Sequence, residues 1–150
     1  TAGAKMARRV VQLGGTSKIS LVWIRTSSQV LFGNRSQLRQ VLKIPTYDSR
    51  IAHHIIPWEF GNNAVVQLAA KRGNPFHMNE LLNGLPLNSA VHKGNHLNYN
   101  ARVKNALDDI VSRNPNLDTD AAYGELLRLI DRIKKKITDN PTTYINDLIF

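Results

Sequence analysis

Cysteine is missing altogether from the 150 residues, so disulfides and thiolate metal sites are excluded and the fold does not depend on redox state. No apolar run approaches the length needed to cross a bilayer, which argues against a membrane partner. The front, TAGAKMARRVVQLGG, lacks an apolar h-region and a cleavage site, so it does not read as a signal peptide. It starts at Thr1 rather than Met, and the expectation is a fragment, the C-terminal domain of something longer. No H-E-x-x-H occurs, which disfavours a zinc protease. The length suits one domain, 1–150, with a real core.

Acidic residues are scarce where basic ones are not. Residues 1–50 hold nine Lys/Arg (Lys5, Arg8, Arg9, Lys18, Arg25, Arg35, Arg39, Lys43, Arg50) against Asp48 alone. Residues 51–110 hold five bases and four acids, and residues 111–150 hold six of each. The net charge of +9 therefore sits almost wholly in the N-terminal third. A basic face of that kind attracts a polyanion, nucleic acid being the usual one. The bland alternatives are solubility or an acidic protein partner.

Along the chain, the first fifteen residues look loosely ordered up to Gly14-Gly15. KISLVWIR (18–25) reads as a strand from its β-branched and aromatic content. NRSQLRQVLKI (34–44) reads as a short helix capped by Asn34 or Ser36 and limited by Pro45. SRIAHHII (49–56) reads as a strand closed by Pro57. NNAVVQLAAKRG (62–73) has an Asn cap, an Ala-rich interior and a Gly stop, a clear helix signal. NGLPL (83–87) is a turn dipeptide leading into a strand. Residues 95–112 have helical apolar spacing, and 119–137 form another helix capped by Asp118 or Thr119. A last helical turn or two is expected after Pro141 at its first position.

Four of the five histidines form two groups, His53-His54 and His92/His96. On a helix the i, i+4 spacing of the second pair puts both rings on one face, able to grip one ion, although Gly94 between them bends or delays the helix. Adjacent residues on a strand face opposite ways, so His53 and His54 cannot both ligate one metal. One is free to ligate while the other faces a substrate. Metal-assisted phosphodiester hydrolysis needs such a division: a divalent ion on the phosphate and a neutral imidazole as general base. His77, in NPFHMNE, reads as a surface histidine and Glu59 as a loop acid or a partner of a ligand imidazole. Trp58 and Phe60 read as core, and the run RIKKK (132–136) as a solvated helix face. Lys93 and Arg102 flank the ligand segment, within reach of a substrate backbone.

The pattern A-H-H-I-I-P, N-G-L-P-L, H-x3-H-x2-Y, in that order, resembles the AHH nucleases of the HNH/endonuclease VII superfamily, also called His-Me finger or ββα-metal nucleases. The resemblance covers about Ile51 to Leu107. The steps from Asn83 to His92 and on to His96 are similar to those of colicin-type HNH DNases. The resemblance implies an α+β fold, a mainly helical domain around a ββα-metal core. Residues 1–50 would form a basic N-terminal region, 51–112 the core and 113–150 C-terminal helices. It implies His53, His92 and His96 as metal ligands, His54 as general base, and Asn83 pinning the loop and orienting that base. Tyr99, Asn95 and Asn100 become candidate phosphate or base contacts, Tyr99 alternatively packing beneath the site. Many HNH enzymes have Asp where His53 stands. An all-nitrogen ligand set favours zinc or nickel over magnesium, so one divalent ion is expected, zinc or magnesium.

The implied function is a metal-dependent endonuclease with little sequence preference, acting on DNA rather than RNA. The resemblance and the fragment-like start together suggest the toxin tip of a bacterial polymorphic toxin. It would be secreted or delivered as an effector into the target-cell cytoplasm and neutralised by an acidic immunity protein. The rivals are an RNase of the same fold, a non-catalytic zinc-stabilised nucleic-acid-binding module whose site His77 would close, and a metal-free binding domain.

Overall fold

Gly14 and Gly15 both have positive φ, +117° and +56°, a backbone that side chains with a Cβ rarely adopt. They let β1 (Lys5–Gly14) fold back on β2 (Ser17–Arg25) as an antiparallel hairpin. A short β3 (Val30–Leu31) adds to the other edge of β2. The computed structural model describes residues 5–150. The expectation of a loosely ordered front is therefore corrected from Lys5 onward, and residues 1–4 lie outside the described residues. The strand is hard to see in sequence because both faces mix charge with apolar groups. Ala7, Arg9, Val11 and Leu13 turn inward while Met6, Arg8, Val10 and Gln12 turn out. Arg9 is tolerated on the inner row because it pairs with Glu80 at 2.6 Å, donates to Asn74 Oδ1 and Pro75 O, and covers the Trp23 ring.

Next comes α1 (Gln37–Val41), shorter at both ends than its sequence suggests. Asn34 Oδ1 accepts from the Ser36 amide and hydroxyl, a local turn that competes with helix. The Arg39 side chain then donates to the carbonyls of Pro45, Asp48 and Arg50, tying down the loop that leads into β4 (Ile51–His54). The Asn63 side chain caps α2 (Ala64–Ala70). β5 (Gly84–Leu87) pairs antiparallel with β4, placing His53 opposite Leu85 and His54 opposite Gly84. A Cβ at Gly84 would lie 2.6 Å from Leu38 Cδ1, so any larger residue there would push the α1 leucine off this ladder.

The segment after β5 breaks at the glycine that the sequence marks. Residues 89–113 form α3 (Ser89–His92) and α4 (Leu97–Arg113), broken at Gly94, where φ is +86°. His92 and His96 therefore sit on two elements, not on one helix face. α5 (Thr119–Asp139) is capped by Asp118, whose carboxylate accepts from Ala121 N. Its buried residues Ala122, Leu126, Leu129, Ile130, Ile133 and Ile137 recur at helical spacing. Each large one is worth roughly 1.5–3 kcal/mol of burial, so this face anchors the helix. α2 packs chiefly on α5. After Pro141 there is only a single 3₁₀ turn, Ile145–Asp147, instead of a helix starting at that proline. Asn146 Oδ1 there accepts from Asn98 N and Tyr99 N, satisfying first-turn amides of α4 from 48 residues away in sequence. One apolar cluster runs from Leu21 and Trp23 through Ile55, Ile56, α2, α4 and α5 to Leu148.

His77 is fully buried in this cluster's margin, not a surface residue. Its ring is wedged edge-on between Trp23 and Phe32, and its nitrogens bond Val22 O and Asn79 N. Burial pulls its pKa from 6.5 to about 4. Between those values the unfolded chain binds the proton and the folded chain does not, so stability is full above pH 6.5 and falls as pH drops toward 4. The loss attributable to His77 is about 3 kcal/mol. Urea unfolding at pH 7 and pH 4.5 should show that share of the pH dependence in the wild type and not in His77→Gln. Equal pH dependence in the two proteins would refute it.

Candidate active site

Strand β4 ends at the histidine pair, so its last two side chains diverge. His53 is 3 % exposed and turns toward α3 and α4. His54 is half-buried and turns toward the 73–80 connection. Both still border one cavity of about 170 Å³, together with Arg35, Pro57, Trp58, Glu59, His92, His96 and Asn100.

On the His53 side three imidazoles cluster. Ring centroids are 5.1 Å apart for His53 and His92, 4.5 Å for His92 and His96, and 6.4 Å for His53 and His96. Beneath them lies Tyr99. Its hydroxyl donates to Ile55 O at 2.6 Å, so it accepts from His53 Nε2 at 3.1 Å. That leaves the lone pair of His53 on Nδ1, which faces His92 Nε2 at 3.2 Å. By the same logic His96 Nε2 donates to His92 O at 2.7 Å and keeps its lone pair on Nδ1. Tyr99 is 0 % exposed, so of its two expected roles the contact to phosphate or base is corrected and the packing beneath the site is what is found, where it fixes the tautomer of His53. Burial raises its hydroxyl pKa and keeps it a neutral donor.

Burial holds His53 well below the usual imidazole range, reinforced by His92, His96 and His54. His92 is lowered to about 4, by burial and then by His96. Neutral imidazole is the form that binds a metal. His53 Nδ1 and His92 Nε2 lie 3.2 Å apart, so two imidazole nitrogens, a donor type suited to zinc-like ions, already point at one another. Among the described residues, however, no three donor side chains already converge as a metal requires. His96 Nε2–H is instead engaged by the His92 carbonyl.

On the other side His54 Nε2 lies 2.8 Å from Asn79 Oδ1, and its ring meets Trp58 edge-on with centroids 5.5 Å apart. Burial lowers its pKa, offset in part by the Asn79 bond and assisted by the Arg35 charge, which favours the neutral ring with a lone pair to offer. Asn83 does not orient it, contrary to the sequence-based expectation. The Asn83 side chain is fully buried and serves backbone instead. It accepts from Ile56 N at 2.8 Å and donates to Ile56 O and Met78 O. The Asn83 carbonyl also accepts from Ile55 N. It thus pins the loop, as expected, while the contact to His54 belongs to Asn79, which no motif marked.

The remaining candidates separate. Asn100 borders the cavity and donates to Glu59, so Glu59 serves an amide and not a ligand imidazole. Asn95 is exposed and its Oδ1 accepts weakly from Leu97 N. Lys93 is exposed, 6.0 Å from the Tyr144 ring. Arg102 donates to Asn146 O and holds the C-terminal segment. None of these last three lines the cavity. Arg35 does line it, is exposed, and has no hydrogen-bond or ion-pair partner among the described residues. Its only sequence signal was membership of the basic N-terminal third.

A family profile matches residues 40–137, that of a nuclease family of the HNH/ENDO VII superfamily with conserved AHH. The chain belongs to this family. Ala52-His53-His54 is the AHH of the family description, and it lies on the strand that forms the cavity's edge. Membership makes the chain a nuclease and nucleic acid its substrate. Comparisons with curated proteins and with solved structures returned no match.

Proposed function

We propose that this AHH nuclease is a metal-dependent DNA endonuclease in which His54 is the general base and His53, His92 and His96 hold one divalent ion. The observation that carries the reading is the sorting of four imidazoles around one cavity. Three cluster on Tyr99's side, and the fourth is held apart by Asn79. Two of the three cluster members turn ring nitrogens toward each other, 3.2 Å apart, and His96, whose ring lies 4.5 Å from that of His92, would supply the third nitrogen through its free Nδ1. Nitrogen donors favour zinc-like ions over magnesium. When bound, the ion would draw charge from the scissile phosphate and the leaving oxygen.

The protein's own part follows from the hydrogen bonds. With Nε2–H given to Asn79, His54 keeps Nδ1 free to take a proton from water. The water oxygen then bonds phosphorus as the bond from phosphorus to the leaving sugar oxygen breaks. Arg35 is placed to neutralise substrate charge at the same cavity. Arg9, Arg39 and Arg50 are engaged within the fold, so polyanion binding falls to the more exposed cations such as Arg35, Arg8 and Lys18.

DNA is proposed over RNA on the resemblance of the Asn83, His92 and His96 spacing to that of colicin-type HNH DNases. The biological setting we propose is a bacterial toxin domain delivered into the cytoplasm of a target cell and held inactive in its producer by an acidic immunity protein. Complementarity with a chain of net charge +9 supports that pairing. The test is cleavage of supercoiled plasmid and of a structured RNA, each with and without EDTA. Wild type is expected to nick DNA only with a divalent ion and to cut RNA much more slowly. DNA affinity should fall tenfold or more between about 50 and 200 mM salt. Equal cutting in EDTA would refute the metal, and preference for RNA the substrate.

A further inference from the structure

The cavity residues do not explain how His54 is held; a chain of hydrogen bonds from the N-terminal sheet does. Val22 O on β2 can only accept, so His77 Nε2 donates to it at 2.9 Å, and His77 Nδ1 accepts from Asn79 N at 2.9 Å. Asn34 O can likewise only accept, so the Asn79 side-chain NH2 donates to it at 2.7 Å. That fixes the amide orientation: Asn79 Oδ1 must face His54 Nε2 and accept its proton. The flipped amide would set oxygen against the Asn34 carbonyl and an N–H against the ring. Asn79 is 0 % exposed, so water cannot substitute for these partners. Arg9 braces the connection that carries it through Glu80, whose other oxygen accepts from His77 N.

We infer that Asn79 is the positioning residue of His54, and that β2 and the Asn34 turn, both outside residues 40–137, hold it in place. The inference rests on His54 as the base. It goes further in assigning the base's tautomer, with the proton on Nε2 and the lone pair on Nδ1, to segments that the family module does not contain. A single tautomer matters because a base offering an N–H to water removes no proton.

Asn79→Leu keeps the volume and removes the acceptor; Asn79→Asp keeps the acceptor for His54 and gives up the donor to Asn34 O, at a cost in stability. In folded protein with plasmid substrate, Asn79→Leu should lower kcat about 10- to 100-fold with KM within about twofold, and Asn79→Asp should recover part of that loss. Long-range ¹⁵N–¹H NMR on the full wild-type chain, with and without added zinc, should show His54 as the Nε2–H tautomer, and Asn79→Leu as a mixture. The wild-type spectrum needs no variant and stands even if Asn79→Leu unfolds. An Nδ1–H tautomer in wild type, or wild-type kcat in folded Asn79→Leu, would overturn the inference. If His54→Ala is inactive while Asn79→Leu is fully active, only the positioning role fails. If His54→Ala is also fully active, the base assignment fails with it.

Discussion

His54→Ala is expected to cut plasmid about 10³-fold more slowly than wild type while binding its metal as before. General base catalysis supplies roughly 10²–10⁴-fold, and nothing else in the cavity replaces it. Glu59 is engaged with Asn100, and the other imidazoles face one another. Metal binding should survive because the partners of His54 are Asn79 and Trp58, not His92 or His96. Stability should fall by about 1–3 kcal/mol, since the change strands Asn79 Oδ1 on a fully buried side chain, which leaves the protein folded under assay. Initial rates of nicking, set beside metal content, decide the matter. Wild-type cutting by folded His54→Ala would remove the base from the mechanism.

Asn83→Ala should cost about 3–6 kcal/mol of stability and take activity with it. The change strands Ile56 N, Ile56 O and Met78 O, three backbone groups around a fully buried side chain. Each unsatisfied group costs about 1–3 kcal/mol, and a domain has only about 5–15 kcal/mol in total. Asn83→Asp is expected to do no better. It keeps the bond from Ile56 N but turns an acceptor toward two carbonyls. Urea titration measures this directly, and a loss under about 1 kcal/mol would mean that the loop after the histidine pair does not depend on Asn83.

Much of this arrangement is legible in the chain because the information is local. α5 shows its apolar stripe and its Asp118 cap, α2 its Asn63 cap, and the β4 and β5 strands their turn residues and proline. The four site histidines stand out by spacing, and the family match agrees with the motif they form. What was missed is held by distant contacts. β1 hides its alternation because Arg9 points inward, and its acid partner lies 71 residues away. His77 looks like a loop histidine until Trp23 and Phe32 close over it. Asn79 and Asn146 look like turn residues, yet one bonds the His54 ring and the other caps α4. The break between His92 and His96 was legible too: Gly94, with φ of +86°, delays the long helix to Leu97, as its place between the two histidines suggests.

Metal titration of wild type and the four single histidine-to-alanine variants tests the division of labour most directly. Calorimetry with zinc should give one ion per chain for wild type and for His54→Ala, and a loss of that binding for His53→Ala, His92→Ala and His96→Ala. Undiminished binding by those last three, or its loss in His54→Ala alone, would contradict the assignment of ligands and base.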